Sequence, residues 1–507
     1  MFTRGSFGLL TLILSFWACP VHAERINQEG RILPETPTLT NSVLFNTPEA
    51  DAVLSTMQIF PRAHPWNEDI SQRPLLVNSD AMIAQIIGDL ATNRRTFRVF
   101  FEMNFALVPD NQPLVPVSFF NYPDESDPSP YPVPVNMPIE TWPLETGVLT
   151  LPQWQRDDTK IGGDRHAIIV QPGTGLIWET WLTKLSSTGQ WTASNGAKFD
   201  LKSNATRPAG WTSGDAAGLA MFPALIRFDE CERGMVEHAV RLVVKRSRRE
   251  YIYPATHFAS NTSASQTNVP AMGQRLRLRS GFSIPESWKN EEKAVLKALK
   301  KYGAIVADNG NFFSVSATPD NRWPSGVFDH LSTLSITNFE VIQTTGPNQG
   351  PRSPGAPVAT AGLDQIVPLG MPVTLLGNVA FTGPRPAIRW NFYSGPGNIT
   401  FDDATAEKSI AHFPAAGIYT LELSADDGIH GIVYDAVKIT IDANLRAEIA
   451  LSGQSVDLAW FGSQPSFVVE HSTNIVSGTW LPMLTTTVHT ATFLVTNSNE
   501  FFRLKAP

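Results

Sequence analysis

Prolines and glycines punctuate this chain from end to end, 39 and 35 of them in 507 residues, and the apolar runs between them are short. Proline lacks a backbone donor and glycine loses the most freedom when ordered, so both end regular elements early. A chain broken this often builds many short strands and turns rather than long helices. Inside the runs, apolar and polar residues alternate. "YTLELSA" puts Tyr419, Leu421 and Leu423 on one face, and "AVKITI" does the same with Val437, Ile439 and Ile441. That period of two marks half-buried strands. The length exceeds what one core supports, so several domains are expected. The expected fold class is mainly β: a large jelly-roll-like β-sandwich with two short helices, an Ig-like sandwich, and a small terminal β module.

The N-terminus reads as a secretory leader over 1–23. Arg4 supplies the positive start, "FGLLTLILSFWA" the apolar centre, and Val21 and Ala23 the small residues before cleavage at Glu24. No later stretch approaches the ~20 apolar residues that span a bilayer. The expected location is therefore outside the cytoplasm, as a secreted chain that does not span the membrane. Its formal charge of −8 gives no general attraction to nucleic acid, which is excluded as a partner. Cys231 alone remains after the leader is removed, so no disulfide framework is available. No HxH or HExxH spacing occurs to suggest a metal centre.

A Pro/Gly-rich seam, "TTGPNQGPRSPGAPVATAG", separates a large region from smaller units. The expected organisation is a β-rich domain over 24–343, a linker over 344–355, a module over 356–442 and a second over 443–507. Six or seven short strands in 356–442, with Trp390 in a core position, are the pattern of an Ig-like sandwich. "PVATAGLDQIVPLGMPVTLLGNV", "RWNFYSGPGNITFDD" and "FPAAGIYTLELSADDG" resemble a PKD-type module of bacterial secreted proteins, although "WDFGDG" is replaced around Trp390-Asn391-Phe392. The resemblance implies a spacer or ligand-binding accessory. "VVEHSTNIVSGTWLPM" and "FFRLKAP" resemble the short terminal β modules of Verrucomicrobia-type secreted proteins.

Candidate chemistry lies in 24–343. "GDRHAIIVQPGTGLIWETW" predicts a hairpin in which Asp164 and His166 share a strand face and Arg165 points away. Glu179 joins His166 only if the paired positions sum to an odd number. An aspartate beside a histidine can orient the imidazole as a base, and His238 and His257 fall on other predicted strands. Each histidine alone also has a purely structural reading. "YPDESDPSPYPVP" crowds Glu125 and Asp127 beside Tyr131, a combination suited to sugar hydroxyls and ring faces, or to calcium through its oxygens. "RPAGWTSGDAAGLAMFPALIRFDE" is a long loop of low charge in which Trp211 and Asp215 are available to wall a cleft. In "MGQRLRLRSGF", Arg275, Arg277 and Arg279 line one face, which suits the carboxylates of an acidic glycan. "GAIVAD" and "FFSVSA" flank an Asn-Gly pair and predict a hairpin. Two helices are expected, "SDAMIAQIIGDL" capped at Ser79 or Asp80 and "SWKNEEKAVLKALKKYG" capped at Ser287 and ended by Gly303.

"YPDESDPSPYPVP", "GDRHAIIV", "YPATHFAS" and "ALKKYGAIVADNG" together are similar to a family of secreted bacterial proteins, which implies common ancestry over about 61–343 and no particular reaction. The expected catalytic residues are Asp164, His166, Glu179 and His257. The expected substrate contacts are Glu125, Asp127, Tyr131, Trp211, Asp215, Arg275 and Arg277. The expected partner is an extracellular polysaccharide, cut by hydrolysis or by elimination. The alternative is a non-catalytic glycan-binding surface or matrix protein.

Overall fold

The computed structural model describes residues 25–144, 149–157, 163–344, 346, 355–443, 446–452, 455–461, 467–472, 480–494 and 501–505. The leader, its cleavage position and most of the linker lie outside them. No helix among the described residues is long and apolar enough to cross a membrane.

The large region is layered. A five-stranded sheet orders Val43–Leu44, Ala106–Leu107, Ala167–Gln171, Leu176–Trp181 and Asn195–Asp200. Its run "AIIVQ" is buried at every position. Ile168, Val170 and Ile177 face the main core, while Ala167, Ile169 and Trp178 face a second cluster with Val117, Tyr131, Trp154 and Trp191. A strand covered on both faces must be continuously apolar, so alternation vanishes where burial is deepest.

A six-stranded sheet orders Phe339–Val341, Arg275–Leu278, Ala304–Asn309, Val240–Val244, Phe313–Ala317 and Phe97–Phe101. It is mixed. Val240–Val244 runs parallel to Ala304–Asn309, and Phe313–Ala317 parallel to Phe97–Phe101. The hairpin predicted across the Asn-Gly pair is therefore not formed. Val240–Val244 enters between its two arms and takes up the hydrogen bonds they would have exchanged. One face of this sheet places Phe97, Leu242, Val306 and Val315 in the main core.

The two predicted helices are the long ones, Ser79–Asp89 and Asn290–Lys301, and both start elsewhere than expected. Asn78 precedes the first without a side-chain cap, and Lys289, not Ser287, stands at the N-cap position of the second, where its amide donates to Glu292 Oε2 at 3.1 Å. Val295, Leu296 and Leu299 are fully buried, and Gly303 (φ +71°) stops the helix where a Cβ would strike the Leu276 carbonyl.

Beyond the seam, an Ig-like arrangement appears. Gln365–Pro368, Val433–Asp442, Gly417–Asp426 and Ala387–Ser394 form one sheet, and Val373–Leu376, Lys408–His412 and Thr400–Phe401 another. Trp390, Tyr419, Leu421, Leu423, Val437, Ile439 and Ile441 fill the space between, as their alternation predicts. The Tyr419 hydroxyl donates to the Ala415 carbonyl at 2.9 Å, a tyrosine corner of the kind that locks such sandwiches. The last strands form two three-stranded sheets around Val456, Leu458, Trp460, Phe467 and Val469.

Candidate functional site

The 167–181 hairpin pairs Ile168 with Glu179 and Ala167 with Thr180, an odd-sum register. Glu179 therefore shares a face with Ile177 and with the position of His166, and that face looks into the main core. Asp164 does not follow. Arg165 adopts φ +54°, which breaks the extended alternation, so Asp164 is exposed while Arg165 and His166 are buried. Arg165 donates to the Thr183 and Trp154 carbonyls. The carboxylate on His166 is instead that of Glu140, 2.9 Å from Nδ1, and Nε2 stands 2.9 Å from the Gly214 carbonyl. A carbonyl only accepts, so Nε2 carries a proton; a carboxylate at the other nitrogen favours a proton there as well. Burial alone would lower the histidine's pKa. The Glu140 charge and hydrogen bond, helped by Asp164, more than offset this and raise it to about 9. His166 is thus a buried imidazolium with no lone pair for a substrate proton.

Glu179 is likewise engaged. Its carboxylate accepts from the Met221 and Phe222 amides at 2.8–2.9 Å. It fixes the turn Phe222–Ala224, and burial raises its pKa to about 7.

The centre of the cluster is Arg241, on the strand Val240–Val244. Core-facing Val240, Leu242 and Val244 leave Arg241 on the opposite face, where it is 2% exposed. Its Nε and Nη2 donate to the two oxygens of fully buried Asp215 at 3.1 and 2.9 Å. Nη1 donates to Ser316 Oγ at 2.8 Å, and Nη2 to Asp308 Oδ2 at 3.3 Å. Ser316 Oγ donates at 2.6 Å to Glu102 Oε1, which lies 3.8 Å from Nη1. Five carboxyl groups (Glu102, Glu140, Glu179, Asp215 and Asp308) thus surround two cations, Arg241 and His166. Like charges in a poorly solvated space hold protons. Burial and the Glu140 charge push Glu102 up to about 7, and burial and the Asp215 charge push Asp308 up to about 6. These two alone keep an opening to solvent, with side chains 27% and 25% exposed, against 0% for Asp215.

The loop 207–230 supplies Asp215 and closes one side. Gly218 (φ +73°) allows its close approach, since a Cβ there would fall 2.1 Å from Thr256 Oγ1. Half-buried His257 holds the Ala216 carbonyl through Nδ1 at 2.8 Å. Asp127 ion-pairs with Arg207, Glu125 accepts from the Thr212 amide at 2.9 Å, and the Arg207 guanidinium stacks on Trp211. Glu125, Asp127 and Trp211 therefore anchor the loop that carries Asp215. Among the described residues no group of three or more His, Cys, Asp or Glu is set to hold a metal ion.

Three expected contacts lie elsewhere. Tyr131 is wholly buried and donates to the Asp127 carbonyl. Arg275 pairs with Glu68 at 3.2 Å and Arg277 with Glu340 at 2.8 Å, both out of solvent, because the strand Arg275–Leu278 is covered on both faces. His238 binds Glu230 in a separate buried network.

Glu102, Glu140, Arg241 and Ser316 are absent from the sequence-derived set, and Asp308 appears in the sequence only as the last residue of "GAIVAD". One signal was available. "AVRLVV" and "VFFEM" each place a single charge in an otherwise apolar run, and buried charges need partners.

The sequence matches no protein-family model and no curated protein. Among solved structures, the chain is similar to a PKD domain from the KIAA 1837 protein, at 19% identity over 20% of this chain and 98% of that one, with a TM-score of 0.15. It is similar to the PKD domain of human KIAA0319 at 22% identity, 20% and 92% coverage, and the same score. It also resembles a nucleoside hydrolase-related hypothetical protein from Saccharophagus degradans, described as associated with carbohydrate metabolism, at 12% identity, 34% and 41% coverage, and 0.15. Likenesses at these scores carry no argument about chemistry.

Proposed function

We propose that the chain is a secreted polysaccharide hydrolase whose acid and base are Glu102 and Asp308, with the Ig-like and terminal modules as accessories. The observation that carries this reading is the pair itself. Two partly open carboxyl groups flank one guanidinium, with pKa values raised to about 7 and about 6. Near neutrality one member of such a pair is protonated and the other ionised, the division of labour that glycoside hydrolysis requires. The protonated carboxyl donates to the departing glycosidic oxygen, and the carboxylate serves the incoming water or the anomeric carbon. Arg241 holds both in place and is itself anchored by Asp215; His166, Glu140 and Glu179 set the field from behind. Elimination is less well supported, because it needs a free base and a neutraliser for the uronate. His166 has no free lone pair, and Arg275 and Arg277 are already paired.

The test is reducing-end release from a panel of polysaccharides by the full chain, Glu102→Gln and Asp308→Asn. Each variant is expected to lose about 10²–10⁴-fold in rate, the usual worth of a general acid or base. Binding without any release by the wild type, or full activity in both variants, would replace this reading with that of a non-catalytic glycan-binding protein.

A further inference from the structure

The sheet face that carries Glu102 continues away from the carboxylates into an aromatic and cationic surface. The Glu102 amide donates to the Ala317 carbonyl at 3.1 Å, so the pairing of Phe97–Phe101 with Phe313–Ala317 extends through it. Alternation then puts Phe100 on the same face as Glu102, about 6.6 Å back along the strand. On the neighbouring strand, Ser314 and Ser316 share that face, and Phe312 lies in the bend just before it. Phe100 and Phe312 meet edge to face with ring centres 5.1 Å apart, and both are only half-buried. The Arg94 guanidinium lies 4.4 Å from the Phe312 ring centre, and Lys245 Nζ donates to Asn311 Oδ1 at 2.6 Å beside it. Among the described residues neither cation has a carboxylate partner, although most arginines of this region do.

We infer that Phe100, Phe312, Arg94 and Lys245 form a substrate subsite next to Glu102 and Asp308, and that it takes a sugar ring bearing an anionic group, a uronate or a sulfate ester. This inference rests on the carbohydrate reading of the site and narrows its substrate class. Flat apolar rings suit a pyranose face. A guanidinium already pre-ordered by stacking presents its fork to a carboxylate or sulfate at reduced entropic cost. The neighbouring catalytic cluster is rich in carboxyl groups and repels anions, so the cations beyond it would place the charged ring at this position and leave the ring being cut neutral at its reacting centre.

The experiment is affinity electrophoresis of the full chain, Arg94→Ala and Phe312→Ala through gels holding polygalacturonate, alginate, dextran sulfate or neutral dextran, with melting temperatures recorded to establish folding. The wild type is expected to be retarded by at least one anionic polymer and not by dextran. Arg94→Ala should lose at least five-fold in apparent affinity for that polymer, and Arg94→Lys should retain part of it. Equal mobility of wild type and Arg94→Ala in every anionic gel overturns the inference, as does equal retardation by dextran. Retardation is read without turnover, so it separates the two readings. A chain that binds through Arg94 but releases no reducing ends sinks the hydrolase and keeps the subsite. A hydrolase indifferent to Arg94 and Phe312 does the reverse.

Discussion

Replacing Arg241 with methionine is the most informative single change, because it keeps an unbranched apolar stem while removing the charge and all its donors. The guanidinium makes two hydrogen bonds to Asp215, one to Ser316 and one to Asp308. Glu102 and Asp308 are a quarter exposed and can hydrate or take up a proton, so their loss is small. Asp215 cannot. Its side chain is fully buried, and the main donor left to it is the Ala216 amide at 3.1 Å. Stranding one member of a buried pair costs about 3–5 kcal/mol. At about 2–4 °C per kcal/mol for a large domain, the first melting transition should fall by roughly 10 °C. Adding Asp215→Asn removes the stranded charge and should restore more than half of that loss. Arg241→Lys, which keeps the charge but not the bidentate fork, should fall in between. Calorimetry on wild type, Arg241→Met, Asp215→Asn and the double variant gives the coupling directly. An Arg241→Met protein melting within 2 °C of wild type, or a double variant no better than the single, would show that the buried pair does not hold the site together.

Three other outcomes are expected. The rate on any polysaccharide substrate should follow a bell in pH with limbs near 6 and 7, set by the raised Asp308 and Glu102, and Glu102→Gln should erase the alkaline limb. A wild-type profile flat from pH 5 to 8 would count against the pair. Stability should peak in mild acid. Glu102 and Glu179, raised from 4.5 to about 7, contribute fully below pH 4.5 and lose that contribution as pH rises through 7; His166, raised from 6.5 to about 9, contributes below 6.5 and loses it through 9. On the acid side Arg227 and His238 outweigh burial and hold Glu230 at about 2, so its contribution disappears as pH falls from 4.5 through 2. Urea midpoints across pH 2–10 check both limbs, and Glu140→Gln should flatten the segment between 6.5 and 9. Finally, Gly218→Ala should cost at least about 1–3 kcal/mol, because φ +73° is unfavourable to alanine and its Cβ would meet Thr256 Oγ1 and the Trp211 carbonyl. Thermal melting measures it.

The sequence was most readable where one face of an element is wet. Tyr419, Leu421 and Leu423, and Val437, Ile439 and Ile441, alternate because one side of each strand meets solvent, and their faces are legible for that reason. It was least readable where burial is two-sided. Arg275 and Arg277 alternate with leucines like surface residues, yet both faces of their strand are covered and the charges are matched by Glu68 and Glu340, some 207 and 63 positions away. The hairpin register followed a parity rule, but the face of Asp164 depended on a single left-handed residue, Arg165, that no rule of alternation anticipates. The site suffered in the same way. His166, Glu179 and Asp215 were legible as chemistry-bearing types, while Glu140 and Arg241 act through partners that only the packing of the sheets brings near.

The segment 25–33 touches both ends of the chain's order of synthesis. Asn27 and Arg31 bind the Glu237 carboxylate, and Gly30 lies against the Tyr434 ring, where an added Cβ would sit 3.0 Å from it. Arg62 donates to the Tyr434 carbonyl, and the Ile32 amide to the Tyr393 hydroxyl at 3.2 Å. Residues made among the first thus wait for partners made some four hundred positions later. A chain emerging N-terminus first can tie this strap to Glu237, Lys301 and Tyr302 within the large region, but the Ile32 amide and Gly30 wait for Tyr393 and Tyr434 until the Ig-like sandwich has folded. A truncation before Tyr434 would uncover Gly30 and take the acceptor from Arg62, while the strap keeps its ties to Glu237, Lys301 and Tyr302.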